Sequence, residues 1–297
     1  MDKLKIGYFA DGPWAHNAFE QLNKDESLLI DFIVPRHNTT DDDLKSYSKK
    51  NNIDYLKTAN VNSSNFLQEV SNYQSDLFIS MSFNQIFKGD FLNLPKLGVI
   101  NCHAGKLPFY RGRNILNWVL INDENDFGVT VHYVDEGIDT GDIVVQETYF
   151  ITDDDDYNTL LNRAYVGCGE QLYKAVKKIQ SGDVNSIKQS DIHPVGFYCG
   201  RRTHGDEVID WNQTSREIFN FVRAICKPGP KARAHINGKE MKINKIAMIE
   251  EAVNYRNTVG QIVGRNGHHL VVKTLDTTLE IIEYEFEGKI RIGDRFE

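Results

Sequence analysis

Three polar side chains near the middle of the chain have the types and the spacing for acyl transfer to an amine. Asn101 and His103 flank a cysteine in an apolar run, so in an extended strand both side chains point to the same side. Asp139 lies in a loop that follows a later strand. Attack of an amine on an acyl carbon creates an oxyanion, which Asn101 and a protonated His103 can stabilise. A carboxylate beside the imidazole favours the imidazolium and can help to relay the proton that the amine loses.

Other interpretations of these residues are open. An isolated Asn-x-His can be a structural feature, and the run from Asp135 to Gly141 can be an acidic turn. His103, Asp135 and Asp139 could also bind a metal ion, but no second histidine or cysteine stands at ligand spacing, so we expect no metal. His132 can line a crevice or pack in the core, and the strand pattern favours packing.

The elements that must position these residues alternate between short apolar runs and helical patterns. This alternation predicts an α/β fold with a Rossmann-like, doubly wound, mainly parallel sheet. Such sheets place ligand crevices at the carboxyl ends of their strands, where Asn101 and His103 fall. The predicted strands span residues 5–10, 28–34, 76–81, 97–101, 127–134 and 143–151, and a long helix is predicted for 157–180.

A second domain is predicted in the C-terminal third of the chain. After a predicted helix at 215–224 and a Pro- and Gly-rich breaker at 227–230, short β-type runs follow one another, two of them joined by Asn266-Gly267, a hairpin turn signal. We therefore predict a catalytic domain over residues 1–203 and a smaller OB-like β domain over 204–297. Neither G-x-G-x-x-G nor a P-loop is present, so the sheet does not indicate NAD or ATP.

Charge and hydropathy exclude several classes of protein. The net charge of −8 argues against a general nucleic-acid binder, which needs a basic surface for phosphates. No apolar run reaches the roughly 18 residues that a membrane span requires. The four cysteines are scattered, which is typical of free thiols in a reducing compartment. We expect a cytoplasmic protein without a nucleic-acid or membrane partner.

Two separated segments carry a resemblance to a known family. The run from Asn101 to Gly112, together with Ile138-Asp139-Thr140-Gly141-Asp142, resembles the paired signature of the formyltetrahydrofolate-dependent formyltransferases. The resemblance implies N10-formyltetrahydrofolate as the cofactor (a co-substrate) and a catalytic triad of Asn101, His103 and Asp139. It also implies that the segment 80–87 and the loop 135–139 hold the folate, with these cofactor-binding residues: Met81, Asn84, Ile86, Asp135, Glu136 and Gly137.

Further resemblances concern the acceptor. Tyr110-Arg111-Gly112-Arg113, followed by Trp118, is more similar to the sugar-modifying members of the family than to the tRNA enzyme. The early Asp11-Gly12-Pro13-Trp14 resembles a Gly-Asp-Gly-x-Trp pattern of sugar enzymes but lacks its first glycine. These similarities imply substrate-binding roles for Trp14, Arg111 and Arg113. The two arginines can grip a diphosphate or, alternatively, act as a structural clamp for loop carbonyls or a carboxylate.

The acceptor class follows from charge and from the second domain. Residues 205–297 contain 14 Lys plus Arg and 14 Asp plus Glu, whereas a domain that grips tRNA should be clearly basic. We therefore predict formylation of a UDP- or dTDP-linked amino sugar, a 4-amino-4,6-dideoxy sugar of surface polysaccharide such as lipopolysaccharide O-antigen. A full OB-like domain resembles the members that act on UDP-linked sugars. Methionyl-tRNA formyltransferase is the main alternative, a folate-binding scaffold with an inactive site is another, and a homodimer is one assembly open to the protein.

Overall fold

The computed structural model describes residues 3–297; Met1 and Asp2, the start of the predicted first domain, lie outside the described residues. The chain forms two compact units. The first contains the residues up to Gly112 with Phe127–Tyr149 and Asn162–Tyr198. The second contains Arg113–Asp126, Phe150–Leu161 and Cys199–Glu297.

The six strands predicted for the first domain and the helices predicted at 157–180 and 215–224 all form, and further strands and helices lie between them. In the first half of the chain the elements are β1 Leu4–Ala10, α1 Pro13–Lys24, β2 Leu28–Val34, α2 Asp43–Asn51, β3 Asp54–Tyr55, α3 Ser64–Ser71, β4 Leu77–Met81, α4 Gly89–Leu92, β5 Val99–His103, β6 Arg111–Gly112, α5 Ile115–Ile121 and β7 Asp126–Tyr133. The second half contains β8 Ile143–Phe150, α6 Tyr157–Ser181, α7 Gln189–Ile192, β9 Tyr198–Cys199, α8 Ser215–Ile225, β10 Ala232–Ile236, β11 Lys239–Met248, β12 Ile262–Asn266, β13 His269–Lys273 and β14 Thr278–Glu285.

A seven-stranded sheet has the strand order β3-β2-β1-β4-β5-β7-β8. The pairs from β3 to β5 are parallel and β5 pairs with β7 antiparallel, which confirms the doubly wound, mainly parallel sheet. The order reverses between β1 and β4, the point at which such sheets open a crevice. β5 begins and ends two residues later than predicted, so Asn101 and His103 belong to the strand itself.

Aromatic side chains fill one layer of this core. The rings of Phe9 and Phe91 are 5.0 Å apart and those of Phe87 and Phe91 are stacked at 4.4 Å. Gly7 lies between two further rings: a Cβ on it would come within 2.5 Å of Phe32 and 2.7 Å of Phe78. Edge-to-face and offset contacts of this kind add to the burial of the rings themselves, so the core fixes β1 against its neighbours.

The C-terminal region contains a five-stranded antiparallel sheet of order β10-β11-β14-β13-β12. Thr214 and Glu217 form a reciprocal capping box at the start of α8, which satisfies two N–H groups of the first turn. The turn at Asn266-Gly267 joins β12 and β13 as predicted, with Gly267 at a φ of 58°. β12 starts at Ile262, directly after a turn in which Gln261 N donates to Thr258 O.

Side-chain contacts join the segments Arg113–Asp126 and Phe150–Leu161 to the rest of the second unit. Arg216 Nη1 donates to Asp153 Oδ1 at 2.7 Å, and its Nε donates to both oxygens of Asp123 at 3.0 Å. Asn117 Nδ2 on α5 donates to Ala224 O on α8. No helix among residues 3–297 has the length and apolar character that crossing a membrane requires.

Candidate active site

The antiparallel pairing of β5 with β7 places three polar side chains together. Asn101 is the register partner of His132, and His103 is the partner of Thr130. Directly paired residues present their side chains on the same face of a sheet, so His132 meets Asn101, with 3.3 Å between its Nε2 and Asn101 Nδ2. His103, two residues further along β5, lies on that same face.

A glycine makes room for the ring of His103. A Cβ on Gly105 would lie 2.4 Å from His103 Nε2 and 2.6 Å from Tyr110 O. With no side chain there, the chain folds back and His103 Nε2 donates to Tyr110 O at 2.7 Å. Thr130 Oγ1 donates to Gly105 O at 2.6 Å, which ties the turn to β7. The segment after β5 is therefore shaped around the imidazole.

Asp139 is held by its main chain and by its side chain. Its φ of 53° is left-handed, a conformation that aspartate tolerates better than most residues. Gln189 Nε2 donates to the carbonyls of Asp139 and Gly141, both at 2.8 Å. Gly112 N donates to Asp139 Oδ2 at 2.9 Å. These bonds fix the carboxylate beside His103, with 3.7 Å between His103 Nδ1 and Asp139 Oδ2.

Burial determines the charge states of this pair. Burial lowers the pKa of His103, and the nearby Asp139 and Tyr110 O only partly reverse that effect. Burial alone would raise the pKa of Asp139, but His103, His132 and the Gly112 N–H together hold it well below its usual range. The structure therefore favours a neutral His103 beside an ionised Asp139 at neutral pH. The sequence had suggested an imidazolium, and the difference arises because burial penalises its charge more than Asp139 stabilises it.

The hydrogen-bond partners indicate where the proton of the neutral imidazole lies. A carbonyl oxygen only accepts, so the bond to Tyr110 O places the hydrogen on His103 Nε2. The lone pair is then on Nδ1, the atom that faces Asp139. A ring in this state can accept a proton at Nδ1, and the resulting imidazolium would form next to a negative charge.

His132 is buried, as the sequence-based preference for packing expects, and its ring also lies against Asn101 and Asp139 of the candidate site. The residue is 2% exposed, and its Nδ1 donates to Tyr133 O at 2.7 Å. The Nε2 atom of His132 contacts Asn101 and also lies 3.6 Å from Asp139 Oδ1. Only the register of β5 against β7 could have identified these contacts, and that register is not visible in the sequence.

The segment expected to meet the folate leads from β4 towards α4. Met81 is buried, and its sulfur accepts a hydrogen bond from the Tyr8 hydroxyl at 3.8 Å. Asn84 is exposed, with its amide 3.5 Å from Asn38 Oδ1. Ile86 is 62% exposed, which is unusual for a large aliphatic side chain next to an aromatic core. Asn84 and Ile86 therefore offer free surface, whereas Met81 supports the strand end.

The other expected folate loop is exposed and internally braced. Asp135 Oδ1 accepts hydrogen bonds from Gly137 N at 3.0 Å and from Thr140 Oγ1 at 2.5 Å. Glu136 reaches towards α4, with its Oε1 3.4 Å from the position of a Cβ on Gly89. The structure thus brings Glu136 next to the start of α4, two residues beyond the predicted folate segment 80–87.

The residues expected to bind the acceptor have different surroundings. Trp14 is half-buried on α1 and packs edge-to-face on Tyr165, with 4.7 Å between ring centres. Arg111 Nε and Nη2 both donate to Gln189 Oε1, at 3.0 and 2.6 Å. Because Gln189 holds the Asp139 loop, Arg111 has a structural contact, although its partner is a side-chain amide rather than the loop carbonyls or the carboxylate that the clamp alternative names. Arg113 is exposed, and it belongs to the second unit.

The potential metal ligands named from the sequence do not form a cluster. Within residues 3–297, the group of three ligand side chains whose atoms lie within 4.8 Å of one another is His16, Asp41 and Asp43. Asp135 is instead used inside its own loop. His103 and Asp139 form the pair described above.

A doubly wound sheet with an asparagine and a histidine at one strand end and a carboxylate in a neighbouring loop is suited to acyl-group transfer. Residues 5–176 match the formyl transferase family, and residues 202–294 match the C-terminal domain of formyl transferases. The chain belongs to this family.

The similar proteins include a methionyl-tRNA formyltransferase and sugar N-formyltransferases. Methionyl-tRNA formyltransferase of Fusobacterium nucleatum subsp. nucleatum is 31% identical over 293 residues, which cover 96% of this chain and 93% of the relative. An N-formyltransferase from Helicobacter canadensis, solved with folinic acid and dTDP-3-aminofucose, is similar with a TM-score of 0.73 and 25% identity, over 96% of this chain and 100% of that one. WlaRD, a sugar 3N-formyl transferase, shares the fold with a TM-score of 0.69 and 23% identity, over 95% and 98% of the two chains.

Proposed function

We propose that this protein transfers the formyl group of N10-formyltetrahydrofolate to the amino group of a UDP- or dTDP-linked amino sugar. The observation that carries the formyl-transfer step is the cluster of Asn101, His103 and Asp139 in a chain of the formyl transferase family. The proposed acceptor is a 4-amino-4,6-dideoxy sugar destined for surface polysaccharide. We also propose that the catalytic domain spans 1–203 and the OB-like domain 204–297, and that the enzyme works in the cytoplasm.

The roles of the triad follow from its hydrogen bonds. N10-formyltetrahydrofolate supplies the formyl carbon. Asn101 has an amide N–H beyond the one directed at His132, and this N–H can donate to the oxygen that becomes negative when the amine attacks. His103 Nδ1 accepts the proton that the nitrogen loses, and Asp139 stabilises the imidazolium as it forms. His103 can then return this proton to the departing nitrogen.

The folate-binding residues are proposed from their exposure and position. Asn84 and Ile86 present free surface after β4, and the braced loop of Asp135, Glu136 and Gly137 reaches the start of α4 through Glu136, two residues beyond the predicted folate segment 80–87. An apolar side chain facing solvent beside hydrogen-bonding groups fits a flat heteroaromatic ring. Met81 would support this surface from within the core. The relative from Helicobacter canadensis, solved with folinic acid, supports the proposal.

The nucleotide-sugar acceptor is supported by charge and by similarity. Residues 205–297 balance 14 basic against 14 acidic side chains, and a small anionic substrate needs only a few positive groups. The similar chain from Helicobacter canadensis was solved with a dTDP-linked amino sugar. We assign substrate contacts to Trp14, Arg111 and Arg113. Arg111 would combine such a contact with its observed bonds to Gln189.

Methionyl-tRNA formyltransferase is the second candidate, because a relative with that name is 31% identical over 96% of the chain. The two functions differ in their dependence on salt: a tRNA enzyme releases many counterions on binding, and a nucleotide-sugar enzyme releases few. Turnover of a panel of UDP- and dTDP-linked 3-amino and 4-amino sugars, with initiator Met-tRNA in parallel, separates them. We expect sugar turnover that persists at moderate salt and no formylation of Met-tRNA.

A further inference from the structure

His132 is a buried histidine with every ring nitrogen engaged, yet the mechanism above gives it no role. It lies on β7 opposite Asn101, at 2% exposure. Its Nδ1 is 2.7 Å from Tyr133 O, and a carbonyl can only accept, so Nδ1 carries the hydrogen. In the neutral ring the lone pair is therefore on Nε2. Two groups face this atom: Asp139 Oδ1 at 3.6 Å, which is beyond hydrogen-bond distance, and Asn101 Nδ2 at 3.3 Å, which is the group that can donate to it.

This lone pair determines how the amide of Asn101 is oriented. Asn101 Nδ2 lies 3.3 Å from His132 Nε2, so one N–H of the amide points at a nitrogen that accepts. Turning the amide over would bring Asn101 Oδ1 against the same lone pair, and two acceptors would then face each other without a hydrogen between them. Because the Tyr133 carbonyl fixes the tautomer, the backbone of β7 indirectly fixes the amide.

We infer that His132 is a positioning residue, which holds the Asn101 amide so that its second N–H faces the developing oxyanion. This inference rests on the triad proposed above. Without a partner that fixes its orientation, an asparagine amide can turn either its oxygen or its nitrogen towards the substrate. An amide oxygen in that position would repel the negative charge that forms in the transition state. The loss of His132 should therefore act on kcat through Asn101, with little effect on the binding of either substrate.

The test compares two replacements of His132. His132→Phe keeps a planar ring but has no acceptor, whereas His132→Gln offers a carbonyl oxygen in its place. We expect His132→Phe to lower kcat by about 10- to 10²-fold, approaching the loss of an oxyanion donor. His132→Gln should recover most of that loss. The Kd for 5-formyltetrahydrofolate reports folate binding in each variant, and the thermal midpoint of unfolding reports its stability. If the phenylalanine destabilises the fold, His132→Leu takes its place in the experiment.

A double variant shows whether the effect passes through Asn101. Residues that act as one unit give non-additive losses, so Asn101→Ala/His132→Phe should have the kcat of Asn101→Ala alone, within about twofold. Multiplied losses, a wild-type kcat for folded His132→Phe, or a His132→Gln as poor as His132→Phe would overturn the inference while leaving the triad intact. Full activity of Asn101→Ala would overturn the triad proposal itself, and this inference with it.

Discussion

The imidazole of His103 and the carboxylate of Asp139 face each other, with 3.7 Å between Nδ1 and Oδ2. Burial lowers the pKa of His103, whereas the pKa of Asp139 stays well below its usual range despite burial. The pair therefore rests as a neutral base beside a fixed negative charge. This arrangement is suited to accepting a proton. The imidazolium would therefore form during the reaction and would not be present in the resting enzyme.

Replacing His103 should remove most of the turnover. His103→Asn removes the proton acceptor and should lower kcat by at least about 10²-fold, the scale typical of general acid–base groups. Folate binding, measured by equilibrium titration with 5-formyltetrahydrofolate, should change little. A variant with near-wild-type kcat would show that His103 is not the base.

Replacing Asp139 should shift the pH dependence to lower pH. The charge of Asp139 raises the pKa of His103 against the effect of burial, so Asp139→Asn removes that support and the pKa of His103 falls further. Because the neutral ring is the active form, the acid limb of the kcat/KM profile should move to lower pH while the plateau falls. An unchanged profile with full activity would reduce Asp139 to a turn residue.

The fit of the ring against Gly105 can be tested by adding one methyl group. Gly105→Ala places a Cβ within 2.4 Å of His103 Nε2, so the ring or the Tyr110 carbonyl must move. A displacement near 1 Å in a catalytic group can cost about 10²-fold in rate, so a strong loss of kcat is expected. Gly264→Ala is the matched control, since its Cβ would meet Val271 at an ordinary 3.6 Å. Equal activity of the two variants would show that His103 does not require a glycine at position 105.

The two roles suggested for Arg111 can be separated kinetically. Gln189→Leu removes the donor to the carbonyls of Asp139 and Gly141, so it should lower kcat and leave the acceptor KM near its original value. Arg111→Ala removes the partner of Gln189 and, if the guanidinium also contacts phosphate, should raise the acceptor KM as well. Steady-state kinetics of both variants decide: a KM unchanged by Arg111→Ala would leave Arg111 as a clamp only.

Much of this site could be predicted from the sequence, because the residues that do chemistry fall in two short segments at strand ends. The alternation of Asn101 and His103 indicated a shared face, and β5 confirms that geometry. The contact of His132 with Asn101 could not be predicted, since it depends on the register of β5 against β7, which are about 30 residues apart in the chain. The charge state of His103 also escaped prediction, because a sequence shows that a carboxylate is near but not how deeply the ring is buried. Gln189 was missed for a similar reason: its partners Asp139 and Gly141 lie 50 and 48 residues away in the chain, and Arg111 lies 78 residues away.

The proposed acceptor is a nucleotide-linked amino sugar, and the most direct test measures the release of tetrahydrofolate from N10-formyltetrahydrofolate in the presence of each acceptor. We expect saturable release with at least one UDP- or dTDP-linked amino sugar, little loss of rate at moderate salt, and none with initiator Met-tRNA. Robust formylation of Met-tRNA that falls steeply with salt, with no turnover of any amino sugar in the panel, would contradict the claim and assign the enzyme to tRNA.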